Sequence, residues 1–305
     1  MSAPQAAGPE VAGRGLAGPG AAGTQAARTS RHGRPEAVSR WDGIRAAWRV
    51  LTVGGVISFR GLFNWLNPYV YVPTMLVAPI FQILLFVYIG RSAGVGTDAF
   101  YLVGNAVQYA SIPCLFAMAN TIAGERWTQT LGIVLSTPAN RVALFVGRSL
   151  PVIANGWFVA MFSLFVGGWV LGVDLPVSAW PGIALTIAIA SASCTGLGLL
   201  QAALALRVRS TAVLSNIVFG LLLVFTGTNV ALDSLPEWMA TAGRLMPLTH
   251  AIEACREVVA GASLSAVAPL LLREGLIGAV FAVLGLAALR WVEAESRRHA
   301  TLELQ

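Results

Sequence analysis

Lysine is absent from this 305-residue chain: all 20 basic residues are arginine. A P-loop needs a lysine on its nucleotide phosphates, so the chain is not itself a conventional ATPase. A pyridoxal Schiff base is excluded on the same ground. Charge of either sign is scarce. Charged residues make up 11% of the chain, against about a quarter in an ordinary soluble domain. Such a chain cannot cover a globular surface with solvated side chains, which excludes a soluble enzyme. Cysteine is sparse too. Cys114, Cys194 and Cys255 are odd in number and far apart, so they give neither a disulfide framework nor a metal-ligand pattern. The four aspartates (Asp42, Asp98, Asp174, Asp233) are isolated singles. That argues against a membrane-embedded transferase, which needs clustered aspartates to hold magnesium on a pyrophosphate.

What is present is apolar. Hydrophobic residues are 56% of the chain and the mean hydropathy is +0.71. Charge-free runs fall at Val70–Ile89, Tyr101–Ile122, Leu150–Val170, Ile183–Ala205 and Ala212–Val230. A sixth, Gly275–Val292, carries Arg290 near its end, where the side chain snorkels to the interface. About 20 apolar residues cross a bilayer as a helix. The expected fold is therefore all-α and polytopic, with six transmembrane helices at residues 67–292. Pro73 and Pro79 are expected to kink the first span. Ala184, Ala188, Ala192 and Gly196 recur every four residues, a small-residue face that permits close helix approach.

The flanks differ. Residues 1–37 are rich in Ala, Gly and Pro with scattered arginines, and read as a disordered cytoplasmic tail without the apolar core of a signal peptide. Within 38–66, Trp41, Ile44, Trp48 and Leu51 recur at helical spacing beside Arg45 and Arg49. That suits an amphipathic helix in the headgroup layer, although a partner-binding helix has the same pattern. Residues 293–305 read as a C-terminal cytoplasmic tail. With six spans and both termini inside, sixteen of the 20 arginines lie on the cytoplasmic side, as the positive-inside rule requires. The first five spans hold no Asp, Glu, Lys, Arg or His, and coupled carriers need such groups within the bundle. Uphill transport by this chain therefore requires energy from a separate polypeptide.

Two inter-span segments carry the remaining chemistry. The cytoplasmic one runs from Glu125 and Arg126 to Pro138, with Leu131, Val134 and Leu135 on one apolar stripe. A short helix of this kind docks in a partner's groove or lies in the headgroups. The outer segment, 231–274, starts one helix at Leu235-Pro236-Glu237-Trp238 and another after Pro247-Leu248-Thr249-His250, the second bearing Glu253, Arg256 and Glu257. In this segment Glu253 is expected to pair with Arg256 as an exposed, weak ion pair, and Cys255 is expected to be the externally accessible thiol. His250 has no second histidine on its side of the membrane, so it reads as a capping or hydrogen-bonding residue rather than a metal ligand or base.

The order Glu125-Arg126, Thr130-Leu131, Leu135, Thr137-Pro138 resembles the coupling segment of type-2 ABC transporter permeases. Pro236 and Trp238, followed by Pro247, His250, Glu253 and Arg256, resemble the same family's external signature between spans five and six. The resemblance covers roughly residues 40–292, with Gln129 and Gly132 as departures. It implies a permease subunit of an ATP-driven exporter, forming a homodimer or heterodimer and working with two separate ATP-binding subunits. Residues Glu125, Arg126, Thr130, Leu131, Val134, Leu135 and Pro138 would meet those subunits. No cofactor is expected on this chain; ATP and magnesium would sit on the partner. The implied place is the bacterial plasma membrane and the implied cargo an amphiphile, in drug or antibiotic efflux. Export of a lipid-linked glycan or polysaccharide is the alternative, with a transferase, a passive channel or a non-transporting accessory subunit as the rival classes.

Overall fold

The computed structural model describes residues 68–120, 141–208 and 210–299. The amphipathic segment within 38–66 and the cytoplasmic segment around 125–138 lie outside them. Every regular element among the described residues is helical.

Five helices are long and apolar enough to cross a membrane. They are α1 (Tyr69–Ala93), α2 (Asp98–Asn120), α3 (Arg141–Leu171, apolar from Val146), α4 (Trp180–Ala205) and a last helix, α8 (Leu264–His299, apolar to Val292). Between α4 and α8 come α5 (Thr211–Phe225), α6 (Glu237–Arg244) and α7 (Thr249–Val259). Two prolines are accommodated inside the long helices by a specific device. Pro73 and Pro113 fall at the starts of π-helical turns, Val72–Val77 in α1 and Pro113–Ala117 in α2. A π turn absorbs the missing N–H without ending the helix. The α1–α2 connection is tight: Gly94 closes α1 in the left-handed region, and the Thr97 side chain accepts from Phe100 N–H to start α2. Arg91 Nε donates to Asp98 Oδ1 across this turn at 3.0 Å.

Two sequence boundaries move. The fifth span was expected over Ala212–Val230, but α5 stops at Phe225. Fifteen residues reach only about 22 Å, short of a ~30 Å hydrocarbon core. The sixth begins at Leu264 rather than Gly275 and continues to His299, so Arg273 and Glu274 lie within it and the expected tail at 293–305 starts as helix.

Burial ranks the helices. Of the most apolar stretch, 83% is buried in α2 and 17% in α1. α2 is therefore the inner strut, and α1 leaves most of its surface outside the bundle. The tightest contact joins α4 to α8. A Cβ on Gly196 would overlap the Gly278 carbonyl, one on Gly278 would overlap the Ser193 backbone, and one on Gly285 would meet the backbone of Leu199 and Leu200. In lipid such packing, rather than expulsion of water, holds helices together. The expected stripe contributes only its last member. Ala192 is exposed, and the Ala184 carbonyl instead accepts from Trp157 Nε1 on α3 at 2.9 Å. The reason is rotation: each four-residue step turns about 40° past a full circle, so three steps leave the contact line.

Gly278→Leu should push α4 and α8 apart, costing about 1–3 kcal/mol or more. Gly275→Leu is the control, since nothing lies within 4 Å of a Cβ there. Thermal scans monitored by size-exclusion in detergent should show Gly278→Leu aggregating at lower temperature and Gly275→Leu behaving like wild type.

Candidate functional site

Beyond Phe225 the helix is not continued. Thr226 turns its hydroxyl back to the Leu222 carbonyl, and Gly227 takes φ 75°. The Thr226 N–H makes the last helical bond, to the Leu222 carbonyl, and residues 227–230 then run without helical hydrogen bonds to the single turn Leu232–Ser234. A broken helix frees carbonyls that need donors.

Arg256 on α7 supplies them. Its Nη1 donates to the Gly227 carbonyl at 2.9 Å and its Nη2 to the Thr228 carbonyl at 2.8 Å. Nη2 and Nε also reach the Phe100 carbonyl on α2, at 3.1 and 3.3 Å. The guanidinium lies 3.6 Å from the centroid of the Phe100 ring, a cation–π contact that partly replaces water. Burial draws the Arg256 pKa down to about 10, against the opposing fields of Cys255 and Glu253. It therefore stays charged at neutral pH. The expected Glu253–Arg256 pair does not form. Glu253 points outward, and the group it approaches is His250, with Nδ1 at 3.9 Å. Backbone acceptors on three sides attract the guanidinium fork more effectively than one exposed carboxylate. Gly104 makes the approach feasible, since a Cβ there would overlap both the Thr228 carbonyl and Arg256 Nη2.

The other outer-motif residues build the same cap. Pro236 precedes α6, and the largely exposed Trp238 meets Phe225 edge-on at 6.1 Å. Pro247 is buried. Thr249 donates to the Gly243 carbonyl at 2.6 Å, and His250 Nε2 lies 3.2 Å from the Arg244 carbonyl. These bonds tie α7 to α6. The coupling residues Glu125, Arg126, Thr130, Leu131, Val134, Leu135 and Pro138 lie outside the described residues.

The sequence did not single out Glu274. It is fully buried on α8, and its carboxylate accepts from the N–H groups of Leu248 at 2.7 Å and Ala251 at 3.3 Å. Leu248, also fully buried, is held at φ 79°, a conformation costly for a branched side chain. Polar span residues have partners as well. Gln82 donates to Asn105 and Asn105 to Asn229, at 3.0 and 2.8 Å. Thr226 and Thr228 donate to Gln108, Tyr71 donates to Asn155, and Gln201 bonds Ser215. These bonds join α1 to α2 and α3, α4 to α5, and α2 to the non-helical residues 226–229. Asn216, by contrast, is exposed and donates only to Ala212 of its own helix.

Cys255 is completely buried, and burial pushes its thiol up to about 12. This overturns the expectation of an accessible thiol: α7 packs its cysteine face against the bundle instead of standing in water. Wild-type protein in membranes should resist maleimide at Cys255 even at mildly alkaline pH. Arg256→Ala strips donors from three carbonyls, each loss costing about 1–3 kcal/mol. It should raise the Cys255 modification rate by about tenfold or more, read by mass spectrometry of the labelled peptide. Arg256→Lys, with charge but no fork, should fall between.

A model of the ABC-2 type transporter family matches residues 56–259, about two thirds of the chain. No match was found among curated proteins. The matched range takes in α1 to α7, the segment at 125–138 and the Arg256 clamp. The chain belongs to the ABC-2 type transporter family, and is a multi-pass membrane permease of an ABC transporter, of the kind that works with an ABC ATP-binding subunit.

Proposed function

We propose that the permease exports an amphiphilic substrate (a drug, an antibiotic or a lipid-like molecule) from a bacterial cell across the plasma membrane. The observation that carries this reading is the family match over residues 56–259. The character of the bundle supports the cargo class. Charges in α1 to α5 are few: Arg91 and Asp98 at helix ends, and Arg141 and Arg148 in the first eight residues of α3. An apolar bundle with hydrogen-bonded amides suits a cargo that is itself largely apolar. Two permease chains, alike or different, would assemble with two ATP-binding subunits, which would hold the ATP and magnesium.

In this reading both termini are cytoplasmic, in keeping with the arginine distribution. Crossing number five is then made by α5 together with the non-helical residues 226–230. About 22 Å of helix and five residues at up to ~3.3 Å each are enough for a ~30 Å core. The outer cap of α6 and α7 closes the far side, and the segment 125–138 meets the ATP-binding subunit on the near side.

That last assignment has a sharp test. If Leu131, Val134 and Leu135 enter a groove of the partner, Leu131→Asp buries an unpaired carboxylate, at a cost of several kcal/mol. The variant should insert into membranes normally yet fail to copurify with the ATP-binding subunit and fail to export. Gln129→Ala, on a polar flank, should do much less. Wild-type assembly and export by Leu131→Asp would reduce the segment to an interfacial helix. The purified permease alone should hydrolyse no ATP.

A further inference from the structure

Among the described side chains, Glu274 is the acid that the bundle buries completely. It is also the group on which the start of α7 depends. Helix N-termini leave amides without partners unless a side chain accepts from them. At α7 the N-cap position is Leu248, which is apolar and left-handed, with no side-chain cap of its own. The acceptor comes from α8, where the two Glu274 oxygens take the Leu248 and Ala251 amides. A carboxylate at a helix N-terminus also meets the positive end of the helix dipole.

The two ends of α7 are therefore gripped by different partners. Its start is held by α8, which is locked to α4 through Gly278, one turn beyond Glu274. Nearer its end, Arg256 holds the Phe100 carbonyl of α2 and the Gly227 and Thr228 carbonyls beyond α5. We propose that Glu274 is a positioning residue of the permease, fastening α7 to the span α8 and thereby seating the Arg256 clamp over the ends of α2 and α5. This deepens the permease reading. Its test needs neither the substrate nor the ATP-binding subunit, so it fails independently of the coupling assignment.

Cys255, next to Arg256 and buried, is a native reporter of whether α7 stays seated. Full-length protein in membranes is treated with N-ethylmaleimide, and the Cys255 peptide is quantified by mass spectrometry. Glu274→Gln keeps the side-chain volume but swaps one acceptor for a donor aimed at the same amides. Glu274→Asp keeps both acceptors and loses one methylene. Fastening through the carboxylate predicts modification of Glu274→Gln about tenfold or more faster than wild type, with Glu274→Asp close to wild type. A packing role predicts the reverse order, because glutamine fills the site and aspartate does not. Wild-type protection in Glu274→Gln, modification of Glu274→Asp as fast as Glu274→Gln, or failure of both variants alike to accumulate would overturn the proposal. Accumulation of Glu274→Asp with Cys255 protected, where Glu274→Gln does not accumulate, supports it by the same ordering. Transmission to the clamp is tested by combining Glu274→Gln with Arg256→Gln. One shared path predicts that the double variant is modified no faster than the faster single, whereas multiplying rates would overturn that half.

Discussion

A backbone carbonyl inside a membrane protein has no water to bond, and the end of this permease capped by α6 and α7 is organised around meeting that need. α5 breaks after Phe225, which leaves Gly227 and Thr228 with carbonyls that no following turn of helix satisfies. One guanidinium, carried by α7, answers both of them and the Phe100 carbonyl of α2. The remaining geometry follows from placing that cation. Gly104 must lack a side chain so that α2 can approach it. Phe100 must lie beneath it to offset the lost hydration. α7 must pack inward, which is why Cys255 and Ile252 are buried and Glu253 is not. A lysine could not do this work, since its single ammonium lacks the planar fork that reaches separate acceptors.

Much of this was legible in the sequence. Charge-free runs located the long helices because the bilayer imposes one length and one polarity on every crossing. The helix starts at Pro236 and after Pro247 were readable too, the first from its proline and early acid and the second from its proline alone. The break after Phe225 was written there as well, in Thr226-Gly227-Thr228-Asn229, but an uncharged polar stretch does not stop a hydropathy count. What the sequence concealed were relations between distant residues. Glu253 stands three residues before Arg256 and looks like its partner, yet the acceptors Arg256 uses lie 28, 29 and 156 residues away. Glu274 falls within a segment read as an external loop. Only the position of α7 against α8 shows that it is buried and occupied.

The small-residue stripe shows the same limit in miniature. A four-residue repeat is easy to see, but helix geometry rotates it out of register within three steps. The contact that forms runs through Ser193, Gly196 and Leu200 on one helix and Gly278, Ala282 and Gly285 on the other. Its spacing alternates between three and four residues, which is what a straight line along a helix requires. In so alanine-rich a chain composition supplies many candidate faces, and only the partner helix selects one.

The buried acid also bears on how the protein is driven. The first five charge-free runs of the sequence carry no acid or base that could couple transport to an ion, but α8 begins at Leu264. Glu274, inside that helix, reopens the question. A proton relay requires a carboxyl group free to change its partners, and a succession of titratable neighbours to pass the proton on. Among the described residues Glu274 fails the first condition. Both of its oxygens are taken by backbone amides of α7, with Ser193 and Cys194 on α4 and His250 on α7 as its other polar neighbours. A carboxylate so engaged holds two elements together rather than ferrying charge between them. The energetic case for an ATP-binding partner therefore survives the one residue that challenged it.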